Sequence, residues 1–285
     1  MSATAERARP SRLALLLEHS GARAGGALCL LAIIAAIAAP LLAPHDPQAI
    51  SPFDRMQGPS QAFWFGTDQI GRDIFSRTIY GARVSLLVGL AVTFCAVSLG
   101  VALGLVTGFV RWIDAVVMRL MDALMAIPSI LLAIALIALT GASVRNIVIA
   151  ITVAEIPRVT RLVRGLVIGL RDQPFIEAAR ASGTPGAQIV IRHILPNTLA
   201  PLLVQASYVF AAAVMTEAIL SFIGAGVPPD MPSWGNIIAE GRSVFRIAPH
   251  IVLFPSLVLS LMVLAVNLLG DGLRDSFDPR FAGNA

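Results

Sequence analysis

The chain contains no lysine, so its 21 Lys-plus-Arg side chains are all arginine. A P-loop uses its lysine to reach the terminal phosphates of a nucleotide, so ATP cannot be held here in that way. The same absence excludes a serine–lysine hydrolase. Histidine is scarce: His19, His45, His193 and His250 fall in four different segments, and there is no His-Glu-x-x-His pair. A zinc-dependent or serine-type active site is therefore not expected. Cys29 and Cys95 are the only two cysteines. Both lie in apolar stretches, too few and too deep for a disulfide framework or a metal site, which leaves core packing as their role. Charge of either sign is thin, at 13% of residues against roughly 25% in an ordinary soluble domain.

What is present is apolar sequence, 56% of the chain. Runs long enough to cross a bilayer, about 20 residues each, lie near 25–43, 84–110, 115–139, 144–163, 198–223 and 250–270. The runs are continuous rather than alternating, so helices are expected and not a barrel. The fold class is an all-α integral membrane protein with about six transmembrane helices.

The pI near 10.0 does not point to nucleic acid, because the arginines gather at span ends rather than along one basic face. They read as topology markers. Arg7, Arg9, Arg12 and Arg23 precede the first span and put the N-terminus in the cytoplasm; six spans return the C-terminus to the same side. Arg111, Arg119, Arg158, Arg161, Arg164, Arg171, Arg180 and Arg192 all fall on the inner side of that topology. Arg55, Arg72, Arg77 and Arg83 lie outside, in a loop balanced by Asp46, Asp54, Asp68 and Asp73. Ala36-Ile37-Ala38 mimics a signal-peptide cleavage site, but the apolar run continues through Pro40-Leu41-Leu42, so an uncleaved anchor is expected. The layout is then a cytoplasmic tail (1–24), a first helix (25–43), an outer loop and lead-in (44–83), a five-helix core (84–270) and a cytoplasmic tail (271–285).

One polar loop, 171–197, interrupts the apolar core. Asp172 or Gln173 can open a helix with Pro174 in its first turn, where a missing N–H costs nothing. Gly183 permits the left-handed turn that ends it. Thr184-Pro185 begins a second helix, with the threonine as cap, and Pro196 stops it. The product is a stiff knob between two membrane helices.

Glu177-Ala178-Ala179-Arg180-Ala181-Ser182-Gly183, nine residues and then His193-Ile194-Leu195-Pro196 resemble the EAA loop of the membrane subunits of bacterial ABC importers. The family's usual isoleucine is His193 here, a departure common in the dipeptide/oligopeptide (and nickel) permease branch. That branch is also resembled by Phe65-Gly66-Thr67-Asp68-Gln69-Ile70-Gly71-Arg72-Asp73, Gly81-Ala82-Arg83-Val84-Ser85-Leu86, Ser221-Phe222-Ile223-Gly224, Pro232-Ser233-Trp234-Gly235-Asn236 and Gly270-Asp271-Gly272-Leu273-Arg274-Asp275. The resemblance implies the type I importer permease fold and residence in the bacterial inner membrane. It implies peptide transport by alternating access, with nickel chelates or glutathione as alternative cargo. It also implies partners: a second, homologous permease in a heterodimer, two ATP-binding subunits, and a periplasmic or lipid-anchored binding protein. ATP and Mg would be bound by those subunits, with no cofactor in this chain. The loop, with Glu177, Ala178, Ala179, Arg180, Gly183, His193, Leu195 and Pro196, would seat in a groove of the ATPase. Glu177 would make a polar contact there and the two alanines would allow close approach.

Other residues are read on their own chemistry. Gly100, Gly104 and Gly108 share one helix face and let a neighbouring backbone come close, within the bundle or at the partner permease. Arg119 and Asp122 are spaced to neutralise each other. Glu155 is inside the fourth span without an obvious close helical partner, and Glu217 is near the outer end of the fifth; either acid could face the pathway. Met118, Met121 and Met125 form a stripe leading to a kink at Pro128. Ser233-Trp234-Gly235-Asn236-Ile237-Ile238 reads as a short interfacial helix with its aromatic at headgroup level. Two rivals of another class are an ion-coupled carrier or channel, with Glu155 or Glu217 as coupling group, and an intramembrane enzyme. Inverted repeats, the mark of many carriers, are not visible, and neither is a nucleophile–base arrangement.

Overall fold

The computed structural model describes residues 19–277, except the side chain of Phe277; Arg7, Arg9 and Arg12 lie outside the described residues. Helices dominate, as they must where lipid offers backbone groups no partner. Among the described residues the sole β-pairing is an isolated Thr67–Asp73 bridge. Helix α1 (Ser20–Ile37) runs into the short α2 (Ala39–Leu42). Helix α3 (Ile74–Phe109) has 36 residues, about 54 Å at about 1.5 Å per residue. It starts earlier than the apolar run at 84 implies because Asp73 caps it, accepting hydrogen bonds from Ser76 N at 2.9 Å and Ser76 Oγ at 2.6 Å. Arg77 and Arg83 are therefore helical residues rather than loop residues.

The expected span 115–139 is two helices, α4 (Arg111–Met125) and α5 (Ser129–Thr140), bent by 90° at the break. Pro128 holds the residue before it out of helical conformation, so the kink becomes a break. Met121 is buried and Met125 exposed, which splits the methionine stripe. Helix α6 (Val144–Arg171) is capped by Ser143, whose Oγ accepts from Asn146 N at 3.1 Å. Helices α7 (Pro174–Ala181) and α8 (Gly186–Ile189) form the polar loop. Beyond it come α9 (Leu195–Phe222), α10 (Trp234–Gly241) and α11 (His250–Phe277). The first residues of the expected tail, 271–277, continue the last helix. Among the described residues four helices are long and apolar enough to cross a membrane, or five if the bent α4–α5 pair is one span. Helix α6 is not among them, since Glu155 and its arginines lower its hydropathy.

Beside a small cluster of Ile74, Ala248 and Ile251 at the start of α3, two larger apolar clusters hold the bundle. One joins α3, α5, α6 and α9 through Val92, Ile137, Ile151, Val163 and Val209. The other joins α1, α3, α9 and α11 through Cys29, Leu86, Phe210 and Met262, and it includes Trp234. The glycines of α3 face Val159, Val163 and Val167 of α6: a Cβ on Gly100 would lie 2.6 Å from Val159 Cβ, and one on Gly104 2.5 Å from Val163 Cβ. That packing is inside this chain. At the other edge Gly272 is set against Ala22 and Gly270 against Ser207, so both described ends of the chain lie on one side of the bundle.

Trp234 is not at an interface. It is fully buried and its indole N–H donates to the Thr78 carbonyl at 3.0 Å. Above it sits an ionic cap. Arg77, with 2% of its side chain exposed, donates to Asp68 Oδ2 at 2.6 Å and to Glu240. Arg72 reaches the same two acids at 2.6 Å each. The loop before α3 is thus balanced partly by Glu240, from another segment. Arg83 lies over the Tyr80 ring.

Candidate functional site

The polar loop's first helix begins at Gln173, whose extended backbone lets Pro174 take the first helical position. Helix α7 ends in a Schellman motif: Thr184 N donates to Ala179 O at 3.1 Å and Gly183 N to Arg180 O at 2.9 Å. Gly183 has φ +77°, the left-handed conformation that a side chain would strain. Helix α8 then starts from Pro185 rather than from Thr184, and without a side-chain cap. Pro196 does not stop the chain. A π-helical turn over Val190–Ile194 carries α8 into α9, with Leu195 N bonded to Val190 O. Pro196, lacking an N–H, occupies the first turn of α9. A widened turn accommodates a missing donor without breaking the helix.

Three isoleucines, Ile176, Ile189 and Ile194, are at most 1% exposed and join the main core. They fix the loop to the bundle, each contributing about 1.5–3 kcal/mol through apolar burial. The opposite surface is open. Glu177, Ala178, Arg180, Gly183 and Pro196 are exposed, while Ala179, His193 and Leu195 are half-buried. The Arg180 guanidinium lies over the Phe109 ring at 5.9 Å. The helix presents an acid, an arginine and Ala178 on its open side, with Ala179 half-buried beside them.

Charged residues elsewhere meet partners that sequence spacing did not identify. Asp122 pairs with Arg161 across helices, not with Arg119. Asp114 pairs with Arg164, whose Nη2 is 2.7 Å from Oδ2. These two ion pairs tie α4 to α6. Glu155 does have a close helical partner, Arg158, one turn on, at 3.2 Å from Oε2. The contact lacks hydrogen-bond alignment, so Oε2 has no hydrogen bond. Arg158 is in mid-helix rather than at a span end. Glu217 is 0% exposed and accepts from Ser85 Oγ at 3.0 Å and Ser221 Oγ at 2.9 Å. Ser85 in turn takes a 3.4 Å contact from Trp234 N. Glu217 thus links α3 to α9 in the interior, and the two candidate pathway acids are not brought together.

Residues 96–283 match the family described as the binding-protein-dependent transport system inner membrane component, and 13–59 match the N-terminal TM domain of oligopeptide transport permease C. The chain belongs to the peptide ABC transporter permease family. The permease is 53% identical over 256 residues to a probable peptide ABC transporter permease protein, y4tQ, of Sinorhizobium fredii, covering 90% of this chain and 88% of that one. It is 47% identical to the dipeptide transport system permease protein DppC of Alkalihalophilus pseudofirmus, over 87% of this chain and 82% of the relative. The glutathione transport system permease protein GsiD of Pectobacterium atrosepticum is 44% identical, over 93% and 88%. The fold is that of a chain in an inward facing conformation of the MetNI methionine ABC transporter, with TM-score 0.60 and 21% identity over 71% of this chain and 97% of that one. The permease is a multi-pass membrane subunit of an ABC importer. Its family implies ATP-binding subunits and a substrate-binding protein as partners.

Proposed function

We propose that this permease passes di- and oligopeptides across the bacterial inner membrane by alternating access, paired with a second, non-identical permease. Two ATPase subunits bind ATP and Mg and hydrolyse the nucleotide, and this chain holds no cofactor. ATP binding closes the ATPases, the loops carry that movement, and the helices open outward to a loaded binding protein, periplasmic or lipid-anchored. Hydrolysis resets the pathway. The ATPases must hold the outward state more tightly than the inward one, because a ligand with equal affinity for both shifts nothing.

The carrying observation is the rigid loop anchored by Ile176, Ile189 and Ile194 with Glu177, Ala178 and Arg180 outward. A docked knob transmits force only if it cannot pivot on its own helix, and three buried isoleucines prevent that. The ATPases sit in the cytoplasm, so the loop and both chain ends lie there, with 44–73 and 224–249 outside, facing the binding protein. The identity to y4tQ and DppC supports peptides as cargo. Identity to GsiD supports a second reading, glutathione, itself a short peptide.

The test is reconstitution of the whole importer in proteoliposomes. ATP-dependent accumulation of a labelled dipeptide, abolished by Glu177→Arg, is the expected result. Accumulation driven by an ion gradient without any ATPase would replace this reading with a carrier.

A further inference from the structure

Arg158 lies near the middle of α6, about 21 Å along the axis from Val144 at about 1.5 Å per residue, yet its side chain is 52% exposed. Arg158, Arg161, Gly165 and Gly169 recur at helical spacing on one face. A Cβ on Gly165 or Gly169 would meet nothing within 4 Å. The other face, Val159, Val163 and Val167, is packed into the glycines of α3. With α6 taken as a bilayer-crossing helix of the permease fold despite its charges, a guanidinium at its middle is costly against lipid tails, which favours a water-filled interior on this open face.

The two arginines on it differ. Arg161 is matched by Asp122. Arg158 has Glu155 alone among the described residues, through one terminal nitrogen, Nη1, at 3.2 Å and without hydrogen-bond alignment. Glu155 is 4% exposed; it cannot itself meet a solute and instead holds the arginine from behind. The rest of the guanidinium fork is free on the open side, and that planar fork fits a carboxylate with two parallel hydrogen bonds.

We propose that Arg158, positioned by Glu155, reads a carboxylate on the cargo, so that the permeant solute is a peptide with a free C-terminal carboxylate. This rests on the peptide-importer reading above. A fixed cation at that depth also disfavours free metal cations as cargo.

The experiment uses the complete importer in proteoliposomes with binding protein preloaded to saturation, so that capture outside does not limit the rate. Three labelled peptides are compared: a free acid, its C-terminal amide, and an amide carrying one aspartate. The variants are Arg158→Gln, Arg158→Lys and Glu155→Gln. Losing one charge-assisted contact of about 1.5–3 kcal/mol predicts a roughly 10- to 140-fold slower free-acid rate in Arg158→Gln. The amide rate should stay within about twofold, Arg158→Lys should fall between, and Glu155→Gln should narrow the acid-to-amide ratio. If the aspartyl amide moves as fast as the free acid, carboxylate recognition stands with a side chain as an accepted source. An acid-to-amide ratio unchanged by Arg158→Gln, or an equal loss for both peptides, would overturn the proposal. So would failure of both Arg158 variants to assemble, which would assign the residue to a subunit interface. If the unaltered importer moves none of the peptides with ATP, the peptide reading itself fails.

Discussion

Arg77 and Glu240 meet through hydrogen bonds of 2.6 and 3.1 Å across 163 residues of chain. They fasten the N-terminal end of α3 to α10, with Asp68 and Arg72 completing the cluster. Removing Arg77 leaves Asp68 buried beside Glu240 with one cation fewer. Arg77→Met is expected to cost about 3–5 kcal/mol, read as a lowered unfolding midpoint in detergent. Glu240 is 28% exposed, so Glu240→Gln should cost less. Equal, small effects from both would mean that the cap is not structural.

The contact between α3 and α6 predicts a contrast between two glycines. A methyl on Gly104 would press on Val163 and on the Thr160 carbonyl, 2.9 Å away. Gly104→Ala should therefore destabilise by about 1–3 kcal/mol. Gly165→Ala meets open space and should be neutral or gain up to about 1 kcal/mol from helix propensity. Paired thermal melts decide it.

The loop's anchoring is tested separately from its docking surface. Ile189→Ala should cost about 2–5 kcal/mol, concentrated in the loop, and appear as faster hydrogen exchange across 174–195. Phe175 is 44% exposed, so Phe175→Ala should leave that exchange unchanged. Matching exchange in the two variants would show that the loop is not held from beneath.

The burial of Trp234 is open to a spectroscopic check. A variant with Trp64→Phe and Trp112→Phe retains Trp234 as its one tryptophan. Its emission should be blue-shifted and resist quenching by brominated lipids, whereas a variant retaining only Trp112, 73% exposed, should be quenched. Strong quenching of Trp234 would return it to the bilayer surface.

Much of the fold was legible because lipid makes hydropathy a direct readout of helices. Where it misled, charge or proline was the cause. Hydropathy could not show that α3 begins at Ile74, since Ser76, Arg77 and Thr78 interrupt its first turns and Asp73 caps them. Pro128 read as a kink and is a full break, while Pro196 read as a stop and is absorbed by a π turn. Proline removes one donor, and the surrounding packing decides whether the helix bends, breaks or continues.

The site was legible where it is local. Gln173, Pro174 and Gly183 carry turn chemistry within a few residues, and the structure agrees with it. Long-range pairs left no trace: nothing in the sequence joins Arg77 to Glu240 or Asp122 to Arg161. Arg158 was within reach, three residues from Glu155, but counting it among the inner-side markers hid the pairing. Trp234 was missed because an aromatic beside a loop suits an interface as well as a core, and only its buried contact with the Thr78 carbonyl separates the two.

We propose that the 171–197 loop seats an ATPase. The most direct test is purification of the tagged chain from its native host in mild detergent, beside the same chain carrying Glu177→Arg, with mass spectrometry of what accompanies each. The account predicts a second permease with both samples, and P-loop ATPases with the unaltered chain alone. A chain that emerges alone from both, yet transports once reconstituted, would contradict it.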